Sequence, residues 1–153
     1  MAVVLGIPAT ALALWLVDGG LALVTSGVEG TLTGEGQLAG MAAGLAALAG
    51  LALASRLRGL ERRYGLDRML GWHRYVGIAA VTALLVHAVA LIAAYSMRSG
   101  RNPFSQVVFL AGEPWLPAAL VGGALMLLVA LSSWHRIKSR MAYETWYYLH
   151  LLG

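Results

Sequence analysis

The sequence predicts an all-α integral membrane protein, a helical bundle with four complete transmembrane helices and the start of a fifth. Of its 153 residues, 59% are hydrophobic and only 12% are charged, whereas a soluble globular domain has about 25% charged residues. The mean hydropathy is +0.74. Several apolar runs are long enough to cross a hydrocarbon core of roughly 30 Å. We therefore expect residues 1–153 to form one bundle in a lipid bilayer.

The predicted spans are separated by more polar loops. The spans cover approximately residues 2–24, 37–55, 72–95 and 115–133, with a fifth beginning near residue 145. We interpret the first as a retained helix, because no basic segment precedes it and no clear cleavage site follows it. Asp18 and two glycines interrupt this span, and we interpret Asp18 as an interfacial acid rather than a functional one. In the second span, Gly40 and Gly44 form a small-xxx-small pair that permits close helix contact.

The basic residues are concentrated in two of the four predicted loops. The loops after the first and third spans hold only Arg98 and Arg101. The loops after the second and fourth spans, with their flanks, hold Arg56, Arg58, Arg62, Arg63, Arg68, Arg74, Arg136, Lys138 and Arg140. Because positive loops remain in the cytoplasm, this predicts a multi-pass protein of the cell membrane with a cytoplasmic N-terminus. The same rule explains the net charge of +4 without a nucleic-acid partner.

Two histidines of the third span are placed in register. His73 and His87 are fourteen residues apart, a spacing that returns within about 40° of the same helix face and covers roughly 21 Å. With no cysteine in the chain, thiolate ligation and iron–sulfur clusters are excluded, and neutral imidazole is a strong iron ligand. The pattern predicts two stacked haems, each held by one histidine and a partner from another helix. Gly77 and Ala80 between them leave room for a flat macrocycle, although ordinary packing would also explain them.

The other two histidines differ in their surroundings. His150 lies about one turn inside the fifth span and at roughly the depth of His73, so we predict that the two share one haem iron. No residue matches the depth of His87. His135 lies in a basic stretch and is interpreted as solvated or as a lipid-headgroup contact. Arg74 directly follows His73; pairing with a haem propionate and a purely topological role explain it equally well.

At these residues the chain resembles a known family. The run ERRYGLDRMLGWHRYVG with the later LLVH, and the run SSWHRIKSRMAYETWYYLH, are similar to segments of bacterial ferric reductase-like transmembrane proteins, relatives of the NADPH oxidases. The resemblance covers roughly residues 37–153. It implies two b-type haems, with His73 and His150 on the inner haem and His87 on the outer one. The second ligand of the outer haem would lie further along the fifth helix, beyond Gly153.

The resemblance also implies a reaction. Electrons would pass from a cytoplasmic flavin reduced by NAD(P)H, through haem b, to ferric iron or oxygen. FAD and NAD(P)H are expected only on an absent domain or a partner flavoprotein, because the sequence shows no glycine-rich nucleotide motif. No catalytic side chain is predicted, and oxidoreductase activity depends on that missing part. A haem-binding relay subunit of a larger complex, or an inactive truncated fragment, are the alternatives.

Overall fold

The computed structural model describes residues 2–151, and every regular element within that range is an α-helix. The chain forms two compact units, Met1–Gln106 and Val107–Gly153. The helices are α1 (Ala2–Val17), α2 (Gly20–Val24), α3 (Val28–Ala54), α4 (Arg58–Tyr64), α5 (Leu66–Ser99), α6 (Pro103–Leu110), α7 (Leu116–Ser133), α8 (His135–Lys138) and α9 (Tyr143–Leu151).

Three of the described helices are long and apolar enough to cross a membrane. They are α3 with 27 residues, α5 with 34 and α7 with 18. The first predicted span does not form one continuous helix, because α1 has 16 residues and stops before Asp18. The all-helical membrane class is confirmed in this part of the chain, with three spanning helices where four were expected.

The interruption predicted at Asp18 is present. Gly19 has φ of +86°, a left-handed conformation that a residue with a Cβ adopts at a cost. The turn brings the indole ring of Trp15 against Gly20, where an added Cβ would collide with the ring. The short helix α2 then runs on to α3, against which it packs.

The first three predicted loops are wrong in part, because polar residues continue or form helices there. Residues 28–36 of the predicted loop 25–36 belong to α3, where Thr31 and Thr33 donate hydroxyl protons to carbonyls four residues earlier. The predicted loop 56–71 contains α4 and the beginning of α5. Within the predicted loop 96–114, the Asn102 side chain accepts the Ser105 N–H at 2.8 Å. It thereby caps α6, and Pro103 occupies the first helical position, where no N–H is needed.

The first unit is organised by the packing of α3 against α5. The apolar residues buried in this unit are mostly small: Ala43, Met69, Ala80, Ala90 and Ala94. Small side chains let two helix backbones approach closely. At one end, the Arg98 guanidinium of α5 binds the Glu29 carboxylate of α3 at 2.6 Å, which pairs one of the two basic residues outside the predicted cytoplasmic loops.

In the second unit, α7 begins one residue after the predicted fourth span and ends at the same residue, Ser133. The predicted loop 134–144 contains α8, and α9 begins two residues before the expected start of the fifth span. Helices α8 and α9 both contact α7. The Lys138 ammonium lies 3.7 Å from the centre of the Trp146 ring, a cation–π contact that joins the α8 and α9 segments.

Candidate functional site

Both histidines of α5 are hydrogen-bonded to the backbone of α3. Nδ1 of His73 lies 3.0 Å from the Gly50 carbonyl oxygen, and Nδ1 of His87 lies 2.8 Å from the Gly36 carbonyl oxygen. The two glycines are fourteen residues apart, like the two histidines, and they follow in the opposite order along the chain. The antiparallel helices α3 and α5 therefore repeat the same interaction at two levels.

These contacts determine which ring nitrogen carries the proton. A carbonyl oxygen only accepts hydrogen bonds, so Nδ1 of each histidine must be the donor. In a neutral imidazole the lone pair is then on Nε2, the atom that would bind a metal. Metal-ligating histidines commonly donate their other ring N–H to a backbone carbonyl in this way. Nε2 of His87 forms no hydrogen bond with any residue that the structure describes.

Glycines of α3 make room for the His87 ring. A Cβ added to Gly40 would lie 2.6 Å from Nδ1 of His87, which is closer than non-bonded atoms tolerate. The corresponding Cβ at Gly50 would lie 3.7 Å from Nδ1 of His73, and one at Gly44 would meet nothing within 4 Å. The predicted Gly40–Gly44 packing pair is thus wrong for Gly44, which does not face α5, whereas Gly40 makes a close contact with a candidate ligand.

The space expected between the two histidines is only partly present. Ala80 is 1% exposed, so its surface is already covered by protein and leaves no room for a macrocycle there. A Cβ at Gly77 would meet nothing within 4 Å. The expected room is therefore beside Gly77 and not at Ala80.

A cavity of about 540 Å³ adjoins His87 on the side of α1. Its lining includes Trp15, Asp18, Gln37 and Met41 together with the His87 ring. The Trp15 indole N–H donates to the Gln37 side-chain oxygen at 2.8 Å, which connects α1 to α3 beside the cavity. This volume is within the range of about 300–1,000 Å³ typical of ligand sites.

His150 is half-buried in the second unit, between a hydroxyl and an aromatic ring. Its Nδ1 lies 3.1 Å from Ser133 Oγ of α7, and its ring stacks on Trp146 at 5.1 Å between ring centres. A hydroxyl can donate or accept, so this contact orients the ring without selecting a tautomer. Because His73 belongs to the other compact unit, its pairing with His150 stays a prediction.

The remaining predicted residues carry less structural support. Arg74 is exposed, directly follows His73, and makes no side-chain hydrogen bond or ion pair with any residue whose side chain the structure describes. Its guanidinium is therefore available to an anionic group. His135 begins α8, but its side chain lies outside the described residues. Within the described range there is no cluster of three His, Cys, Asp or Glu side chains that could hold a bare metal ion. A haem iron held by two histidines does not need one, because the porphyrin supplies the other ligands.

The sequence reasoning missed the residues around the histidines. The carbonyl oxygens of Gly36 and Gly50 contact the two histidine rings. Gly40 leaves space for the His87 ring because it has no side chain. One sign of them was present: Gly36, directly before the predicted second span, and Gly50 within it share the fourteen-residue spacing of the histidines. For Ser133 and Trp146, which contact His150, we find no comparable sign.

With this geometry in place, the chain can be compared with known proteins. The sequence model of the family described as ferric reductase like transmembrane component matches residues 39–153. The chain belongs to this family. A domain of this kind indicates electron transfer across a membrane, and the match confirms the resemblance. No curated protein and no solved structure gives a significant match.

The matched region contains the three candidate haem ligands, together with Gly40 and Gly50 of α3. Trp15, Asp18 and Gln37, which line the cavity beside His87, precede it. The ferric reductase-like part therefore meets residues from outside the family match at this cavity.

Proposed function

We propose that this chain is a transmembrane b-type haem module that carries electrons from a cytoplasmic flavin and NAD(P)H donor to ferric iron or oxygen. The observation that supports the proposal best is the pair of Nδ1–carbonyl hydrogen bonds on α5. Both bonds put the lone pair on Nε2, and they recur at a separation of roughly 21 Å along the helix. A ferric reductase-like domain with two such histidines is suited to hold two redox centres in one helix.

Each candidate residue has a distinct role in this proposal. His73 and His150 would together hold the iron of an inner haem, and His87 would provide one ligand to the iron of an outer haem. Haem iron, when bound, supplies one-electron redox chemistry by cycling between the ferric and ferrous states. The α3 carbonyls orient the His73 and His87 rings. Arg74 is placed to neutralise a propionate on the inner side.

The distribution of basic residues supports a direction of electron transfer across the membrane. It supports a cell-membrane protein with a cytoplasmic N-terminus, so the His73 end of α5 faces the cytoplasm. The electron donor is then expected on that side, with FAD and NAD(P)H bound by a flavoprotein domain or subunit. The outer end, near His87, is where the acceptor would be reduced.

A purely structural role for the histidines has its own support, because the same hydrogen bonds tie α5 to α3. Two substitutions of His73 separate the roles. In His73→Asn, a side-chain amide N–H near the original Nδ1 position can still bond to the Gly50 carbonyl, but the Nε2 ligand is lost. In His73→Leu, both the hydrogen bond and the ligand are lost.

We expect His73→Asn to lose the low-spin absorbance of the inner haem while keeping most of the thermal stability of the apoprotein in detergent. His73→Leu should lose both, with a stability cost of about 0.6–1.7 kcal/mol, as for other hydrogen bonds between membrane helices. The measurement is a Soret spectrum of each purified variant, expressed in cells that are supplied with haem. Unchanged low-spin absorbance in both variants would refute the proposal.

A further inference from the structure

The cavity beside His87 carries one acid whose charge is not balanced by its neighbours. Asp18 lines this cavity. Its carboxylate makes no hydrogen bond or ion pair with any residue whose side chain the structure describes, and no lysine or arginine is among the residues that line the cavity. We propose that the Asp18 carboxylate lowers the reduction potential of the iron held by His87. The inference rests on the proposed function, because it requires His87 to be a haem ligand.

The position of Asp18 is fixed by the structure around it. It follows the last residue of α1 and precedes Gly19, whose left-handed backbone turns the chain into α2. On one side, the Trp15 ring packs against Gly20. Trp15 also donates to Gln37 of α3. The Asp18 carboxylate is thus attached to a turn that is held against α3. The His87 ring contacts the same helix.

The electrostatic consequence has a definite sign. A nearby negative charge stabilises the ferric state, which is one unit more positive than the ferrous state, so it makes reduction less favourable. Asp18 is exposed, so solvent weakens the effect. The apolar surfaces of Trp15, Leu23 and Met41, which share the cavity, limit that weakening.

The test is a redox titration of the haem-loaded protein carrying Asp18→Asn. We expect the midpoint potential of the haem on His87 to rise by up to about 59 mV, a tenfold change in the one-electron equilibrium constant. Asp18→Glu should restore the original value. The haem on His73, about 21 Å away along α5, should shift much less.

Asp67→Asn is the matched control. Asp67 is exposed in the first turn of α5, twenty residues before His87 and therefore about 30 Å from it along the helix, so removing its charge should leave the potential of the haem on His87 nearly unchanged. Equal shifts of that potential in Asp18→Asn and Asp67→Asn, or no shift in either, would overturn the inference.

Failure of the inference can be told apart from failure of the proposed function. If His87→Asn leaves the haem spectrum and both potentials unchanged, His87 is not a ligand and both proposals fall. If His87→Asn removes one of the two haem potentials but Asp18→Asn moves neither, only the role of Asp18 is refuted. An apoprotein that takes up no haem also refutes both.

Discussion

The His73 and His87 sites share one hydrogen-bond scheme but differ in their steric surroundings. At His87 the ring lies so close to Gly40 that an added Cβ would be 2.6 Å from Nδ1. At His73, a Cβ on Gly50 would be 3.7 Å from Nδ1, an ordinary van der Waals distance. The regular spacing of His73 and His87 along α5 therefore does not make their two sites equivalent. The residues of the facing helix α3 determine how closely each ring is packed.

The surroundings of His87 extend beyond the two long helices. His87 adjoins a cavity whose wall includes residues of α1 and of the turn after it. The His87 site is thus built from α3, α5 and the amino-terminal segment. Substitutions in that segment should affect His87 selectively.

The largest effect on haem binding is expected when a side chain is added at Gly40, where α3 contacts the His87 ring. Gly40→Val should displace the His87 ring, abolish haem binding at that site and destabilise the protein by about 1–3 kcal/mol, the usual cost of overpacking. The haem on His73 should remain. Haem stoichiometry and thermal denaturation in detergent measure both effects.

Two alanine substitutions sharpen the same comparison. Gly40→Ala should reduce haem at His87, whereas Gly50→Ala and Gly44→Ala should leave both sites close to wild type, because their added methyl groups meet no closer atom than 3.7 Å. Equal losses from Gly40→Ala and Gly50→Ala would show that the steric difference between the sites has no consequence.

A smaller effect is expected at the cavity wall. Trp15→Phe keeps an aromatic ring against Gly20 but removes the hydrogen bond to Gln37, a change worth about 0.5–1.5 kcal/mol. We expect a modest loss of thermal stability and a change in the spectrum of the haem on His87 alone. A change confined to the haem on His73 would contradict this assignment of the cavity.

The smallest effect is expected for the ion pair between α3 and α5. Glu29→Gln weakens the contact with Arg98. Because the Arg98 side chain is 62% exposed, the cost should be within about 0–1 kcal/mol. Neither haem spectrum should change. Loss of haem from the His87 site would show that this end of the helix pair is held less firmly by packing than the structure indicates.

The parts of the fold that the sequence predicted well depend on apolar length and glycine placement. The limits of α7 and the interruption at Asp18 are of this kind. Helix ends in polar stretches were missed, as at Thr31 and Thr33 of α3, because threonine and glycine are poor helix formers in isolation and tertiary contacts keep them helical here.

The part of the site that lies on a single helix was predictable from the sequence. The fourteen-residue spacing of His73 and His87 follows from helix geometry alone. Their hydrogen-bond partners required the register between α3 and α5. Gly36 and Gly50 act through their carbonyls, and their fourteen-residue spacing does not by itself reveal which carbonyl meets which ring. The sharing of one iron by His73 and His150 remains a prediction.

That sharing is tested most directly by the low-spin ferric haem signals of the full chain in electron paramagnetic resonance. Spectra of His73→Asn and His150→Asn are compared with the wild type after haem is supplied. If the two histidines ligate one iron, both variants lose the same low-spin signal, and the signal of any haem on His87 is retained. Two variants that lose different signals, or that keep the complete wild-type spectrum, would contradict the pairing.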